Sequence, residues 1–178
     1  MGSHTGVPWH CASAWRELQA PYSDVVRHID VGVVVEVGVH YGYSLFTFAA
    51  DYPNASVFGI DDFSYDDSDK AREHLETHLS TFPNVKVIEA TSHDARELWR
   101  NPRNYLDIDL LHIDGDHTYE GVKNDFELWE SVVRPGGVIL FHDIDSFDEV
   151  RKFFEEIEGG YKRELNLGPG LGFWFKDA

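Results

Sequence analysis

Two short stretches carry the side chains best suited to chemistry. His112-Ile113-Asp114-Gly115-Asp116-His117 and Phe141-His142-Asp143 each set carboxylates beside imidazoles directly after an apolar run. If the two runs are neighbouring parallel strands, their ends meet, and Asp114, Asp143 and His142 become candidate ligands to one divalent cation. Oxygen donors with room for water suit Mg²⁺, whereas an imidazole admits a transition metal such as Mn²⁺. Asp116 and His117 lie just beyond the strand in the same mouth. Either can serve as a general base, since both can accept a proton near neutral pH once placed beside a reacting hydroxyl. Asp116 has a second possible use, as the cap of a helix that starts at Thr118.

A further run, Glu36-Val37-Gly38-Val39-His40-Tyr41-Gly42-Tyr43-Ser44, has the spacing of a strand-to-helix turn. Gly38 permits a tight turn and Gly42 a close backbone approach. Ser44 is a candidate cap for the helix that follows, whose free amides would seat a carboxylate or phosphate. With two glycines and a preceding acid, this is not the dinucleotide pattern G-x-G-x-x-G, which argues against a nicotinamide enzyme. Asp61, followed by Asp62, lies 23 residues after Gly38 at the end of the next apolar run. An acid at that offset can accept hydrogen bonds from ribose hydroxyls.

These residues need a scaffold, and the chain alternates β-rich and amphipathic segments that supply one. Strands are expected at 31–37, 56–60, 84–89, 108–113 and 138–141, the last preceded by a Pro135-Gly136-Gly137 turn. Helices are expected at 45–50, 68–80, 93–100, 119–133 and 147–157. The helix at 119–133 carries Val122, Phe126, Trp129 and Val133 at helical spacing. Alternating βα units with continuous apolar strands imply a mostly parallel sheet covered on both faces. The tail reads as strand 161–167, a Gly168-Pro169-Gly170 turn and strand 171–176, giving an antiparallel edge. Ligands of such sheets bind beyond the carboxyl ends of the strands, where these acids fall.

Composition narrows the partners. A formal net charge of −17 over 178 residues opposes binding to nucleic acid or anionic lipid and favours a neutral or cationic small molecule. No apolar run has the roughly 20 residues of a membrane span. The single cysteine, Cys11, cannot form an intrachain disulfide, which fits a reducing, cytoplasmic setting. One globular unit is expected, with a helical segment at 1–30 preceding the main domain at 31–178. Trp9 and Trp15 belong to that segment, where Trp15 is expected to pack into the core. Assembly into a homo-oligomer is compatible with the sequence.

The set Glu36-x-Gly38-x-x-x-Gly42, Asp61, Ile113-Asp114-Gly115-Asp116-His117 and Pro135-Gly136-Gly137 followed by Phe141-His142-Asp143 resembles class I S-adenosylmethionine-dependent methyltransferases. Within them it is most similar to the metal-dependent sugar O-methyltransferases, with the macrocin O-methyltransferase and cephalosporin hydroxylase-like proteins. The resemblance spans roughly Val31 to Lys176. It implies a Rossmann-like α/β three-layer sandwich with a seven-stranded, mostly parallel sheet and an antiparallel last strand. It implies Glu36, Gly38 and Gly42 along the methionine part of S-adenosylmethionine, Asp61 on the ribose, and Ser92 and His93 near the adenine. Asp114 and Asp143 would be metal ligands and Asp116 the base. The acceptor would be a hydroxyl-bearing small molecule, first a sugar or glycoside. His142 stands where relatives commonly carry a second acid, and the segment before the first strand is short for a substrate lid.

Overall fold

The computed structural model describes residues 15–99 and 106–178; Trp9 and Cys11 lie outside them. Seven strands form one sheet: β1 (Val33–Val37), β2 (Ser56–Asp61), β3 (Val85–Glu89), β4 (Ile108–Ile113), β5 (Val133–His142), β6 (Tyr161–Leu165) and β7 (Leu171–Phe175). Their order is β3-β2-β1-β4-β5-β7-β6. The first five pair in parallel, and β7 runs antiparallel to both β5 and β6. This is the doubly wound order with the last strand inserted beside β5. The antiparallel strand is therefore one place in from the edge, and β6 is the edge itself.

Alternation along the strands divides the core. Val34, Leu110, Val138 and Phe173 face one side with Leu18 and Tyr22 of α1 (Trp15–Val26), Leu45 and Phe48 of α2 (Tyr43–Asp51) and Leu75 of α3 (Ser68–Leu79). Val35, Leu111, Ile139 and Trp174 face the other. There they meet Trp99 of α4 (Ser92–Trp99), Trp129 of α5 (Tyr119–Trp129) and Phe154 of α6 (Asp148–Glu156). Successive strand residues point to opposite faces, so apolar residues at consecutive positions serve two helical layers. All six residues of β4 are buried, including the polar Asp109 and His112.

Three local expectations change. The Pro135-Gly136-Gly137 segment is not a turn before the fifth strand; β5 runs through it, with a register irregularity opposite Ile108 and Leu110 and a left-handed Gly136. Such a bulge absorbs the residues that cannot pair regularly. Helix α5 stops at Trp129 and passes into a 3₁₀ turn at Glu130–Val132. Ser44 does not cap α2: Gly42, at φ 76°, occupies that position and Ser44 lies inside the first turn. Among the described residues no helix is long and apolar enough to cross a membrane.

Candidate active site

A cleft of about 1170 Å³ opens at the carboxyl ends of β1, β2, β4 and β5, where the strand order reverses between β1 and β4. Backbone bonds knit its floor. Gly38 N–H donates to Ile60 O (2.9 Å), and Asp114 N–H donates to Val37 O (2.8 Å). Gly38 has φ 87°, and a Cβ there would lie 2.1 Å from the Asp114 carbonyl oxygen. Only glycine lets the ends of β1 and β4 approach this closely.

The acids at the two strand ends converge. His117 Nε2 lies 3.4 Å from Asp114 Oδ1 and 3.0 Å from Asp143 Oδ2. His142 Nδ1 lies 3.3 and 3.1 Å from the same two oxygens and is almost wholly buried. Asp143 takes a left-handed backbone (φ 64°), uncommon for a residue with a side chain. Burial favours the neutral form of both aspartates, but the imidazoles outweigh it and hold both carboxyls below the usual range. Hydrogen bonds to Asp114 and Asp143 raise His117 to about 9 against its burial. Burial pulls His142 down, and the two carboxylates overcome it, carrying the group to about 10. Asp114, His117 and Asp143 present donor atoms within 4.8 Å of one another. Two carboxylates and an imidazole suit a divalent cation that accepts mixed oxygen and nitrogen donors. The sequence had suggested His142 as the imidazole ligand and His117 as a base; the geometry brings both to the same pair of oxygens.

Asp116 is exposed at the rim. Its Oδ1 accepts from Thr118 N–H (2.9 Å), while Thr118 itself caps α5 by accepting from Gly121 N–H. A Cβ on Gly121 would lie 2.3 Å from the Asp116 Cγ, so Gly121 makes the space this carboxylate occupies. The sequence offered no signal for that role.

Glu36 is fully buried and does not line the cleft. It accepts a hydrogen bond from Ser44 Oγ, and its Oε1 lies 2.7 Å from His112 Nδ1. Burial raises its carboxyl, with His112 and Ser44 opposing. Glu36 was expected along the methionine part of the donor; the structure places it beneath the α2 N-terminus. Gly42 is also outside the cleft wall; a Cβ there would strike Leu75 and Phe46. Tyr43 and Ser44 do line the cleft, at the helix end where amides lack intrahelical partners.

Asp61 spends its carboxylate on the loop. Oδ2 accepts from Val39 N–H and His40 N–H (both 2.8 Å) and Oδ1 from Phe63 N–H (2.7 Å). One of roughly four acceptor positions is left. Asp62 is exposed beside it, engaged only by Ser64 N–H among the described residues. Tyr65, from the same loop, lines the cleft with a buried hydroxyl that has no hydrogen-bond partner among them. On the opposite wall Ser92 accepts from Trp129 Nε1–H (2.9 Å). Asp125 stands beside Ser92, and burial, reinforced by the Asp116 charge and opposed by Ser92, raises its carboxyl to about 6. His93 is exposed, pairs with Asp94 and lies outside the cleft. Tyr65 and Asp125 were not legible as site residues, because loop and helix positions acquire a direction only in the fold.

A family model described as a methyltransferase domain matches residues 35–144. The chain belongs to this methyltransferase family. Uncharacterized protein y4gI of Sinorhizobium fredii (strain NBRC 101917 / NGR234) is 28% identical over 88% of the chain, which spans only 20% of that protein. Uncharacterized protein R132 of Acanthamoeba polyphaga mimivirus is 30% identical over 74% of the chain, covering 65% of its own length. The methyltransferase's fold is shared with a putative caffeoyl-CoA O-methyltransferase from Staphylococcus aureus. That likeness has a TM-score of 0.73 at 18% identity, over 89% of this chain and 82% of the other. An O-methyltransferase from Bacillus cereus, solved with SAH, gives 0.71 at 19% identity over 96% and 84%. In the methyltransferase, Gly38, Asp61, Asp114 and Asp143 all border the one cleft.

Proposed function

We propose that this methyltransferase moves the methyl group of S-adenosylmethionine to a hydroxyl oxygen of a small molecule, a sugar or glycoside with adjacent hydroxyls. The observation that carries the reading is the meeting of Asp114, Asp116 and Asp143 in the same cleft as the Gly38 turn. Neighbours of the same fold were solved with SAH and with SAM, which supports the choice of donor.

The cleft residues fit the donor. Tyr43 and Ser44, in the first turn of α2, offer amides to its carboxylate. Asp62 and the unpartnered Tyr65 hydroxyl face the place of a ribose, while Asp61 shapes the loop that holds them. Ser92 and Asp125 border the adenine side.

Asp114, Asp143 and an imidazole from His117 or His142 would hold a divalent cation, Mg²⁺ or Mn²⁺. Bound there, the cation lowers the pKa of a coordinated hydroxyl. Asp116 takes the hydroxyl proton on the oxygen not held by Thr118, as the acceptor oxygen bonds to the methyl carbon and the sulfur–methyl bond breaks. The donor leaves as a neutral thioether. Alignment in the cleft supplies much of the rate, because the methyl is already activated.

Calorimetric titration with S-adenosylhomocysteine and, separately, NAD tests this reading. One site for the first, none for the second, and tighter binding with Mn²⁺ are expected. NAD binding with no response to S-adenosylhomocysteine would replace the reading by a nicotinamide enzyme.

A further inference from the structure

The donor cleft does not end at Asp116 and His117. Both residues also line a second cleft of about 490 Å³, completed by Thr118, Phe147, Asp148 and Glu149. Phe147 is a large apolar side chain left 43% exposed. Its ring stacks on His117 at 4.3 Å and 18°, which fixes its orientation at the mouth. Glu149 gives one oxygen to Tyr119 N–H (2.7 Å), holding the start of α5 against α6. The wall of this annex is thus an aromatic ring set among carboxylates. Among the described residues lining either cleft there is no lysine and no arginine.

That combination discriminates by charge. An anionic acceptor would meet the carboxylates of Asp116, Asp148 and Glu149, while the His117 imidazole at the mouth is already held between Asp114 and Asp143. A protonated amine gains attraction from Asp116, Asp148 and Glu149, and from the face of Phe147, whose ring quadrupole favours cations. The rest of a sugar ring can lie its apolar face on the same aromatic surface.

We infer that the annex is the acceptor subsite and that it selects an amine-bearing polyol, an amino sugar or its glycoside, over neutral and anionic counterparts. The inference rests on the methyltransferase reading above and adds to it the charge of the acceptor and the role of Phe147 as its platform.

The test uses the full chain saturated with S-adenosylhomocysteine, whose own affinity is measured first. Three probes sharing one ring are then titrated at low salt, below the pKa of the amine: methyl glucosaminide, methyl glucoside and methyl glucuronide. The amine is expected to bind at least about tenfold more tightly than the uronate, with the neutral glycoside between. Phe147→Ala should weaken the amine about fivefold or more, and Asp148→Asn should narrow the amine-to-uronate ratio about threefold. Both variants should leave the affinity for S-adenosylhomocysteine unchanged. The inference is overturned if the uronate binds as well as the amine, if none of the three binds, or if Phe147→Ala changes nothing. Failure of S-adenosylhomocysteine itself to bind would instead remove the methyltransferase reading on which the inference stands.

Discussion

The two ends of strand β4 carry aspartates in opposite circumstances. At the amino end, Asp109 Oδ2 accepts from Gly32 N–H (2.8 Å) and Val33 N–H (2.7 Å), and its Oδ1 pairs with the guanidinium of Arg134. Arg134 continues to the Asp30 carbonyl oxygen (3.1 Å). Every strong demand of that carboxylate is met by a permanent cation or a fixed amide. At the carboxyl end, Asp114 has only the imidazoles of His117 and His142 as side-chain partners among the described residues. Imidazoles give up their protons, and a cation can take the place those protons hold. The amino end is built to stay as it is. The carboxyl end keeps charge that a ligand can reorganise, and Asp143 accepts an uncommon backbone conformation to join it.

Removing one acid from each end separates the two roles. Asp114→Ala should lower methyl transfer by about 10³ or more while leaving the melting temperature within a few degrees of the parent. Asp109→Ala should do the reverse. Leaving Arg134 and two backbone amides without their acceptor should cost about 3 kcal/mol in chemical denaturation, with turnover of the folded fraction preserved. If both variants lose activity and stability together, the two ends are not functionally distinct.

Asp116→Asn tests the base alone. Turnover should fall about 10²-fold with unchanged affinity for S-adenosylhomocysteine, read by steady-state kinetics and calorimetry. Asp125 adds a dependence on pH at the carboxyl end. Its carboxyl is raised to about 6 in the folded protein, against about 3.9 in an unfolded chain, so the folded state holds more protons between those values. Stability therefore falls as pH rises through that window and levels off above it. Asp125→Asn should remove the fall, making the variant about 3 kcal/mol more stable than the parent near neutral pH and close to it near pH 4. Denaturant titrations at both values measure the difference.

The smallest effect is expected at Gly121. Alanine there improves helix propensity by up to about 1 kcal/mol but takes the space of the Asp116 carboxylate. Turnover should drop about tenfold in a protein as stable as the parent, or more so.

The sheet was legible because its signal is repetitive. Val33 to Val37, Ile108 to Ile113 and Val138 to Phe141 are apolar apart from Glu36, Asp109 and His112, the mark of strands covered on both faces. The place of β7 was not, because nothing in Leu171–Phe175 says which neighbour it pairs with; its insertion beside β5 is a tertiary choice. Asp114, Asp116 and Asp143 were legible as a group because strand ends gather in this architecture. The inward turn of Glu36 was not legible, because a strand acid has two faces to choose from, and His112 and Ser44 draw it inward. Asp61 lines the cleft, but spacing could not reveal that three backbone amides occupy its carboxylate.

If the carboxyl ends of β1, β2 and β4 hold the methyl donor beside the acid cluster, the donor itself should label them. Ultraviolet cross-linking of S-adenosylmethionine labelled in its methyl group, followed by peptide mapping, tests it most directly. Label is expected on the peptides containing Gly38 to Ser44 and Asp61 to Tyr65, displaced by excess S-adenosylhomocysteine. Label confined to peptides away from this edge of the sheet, or no displaceable label, would contradict it.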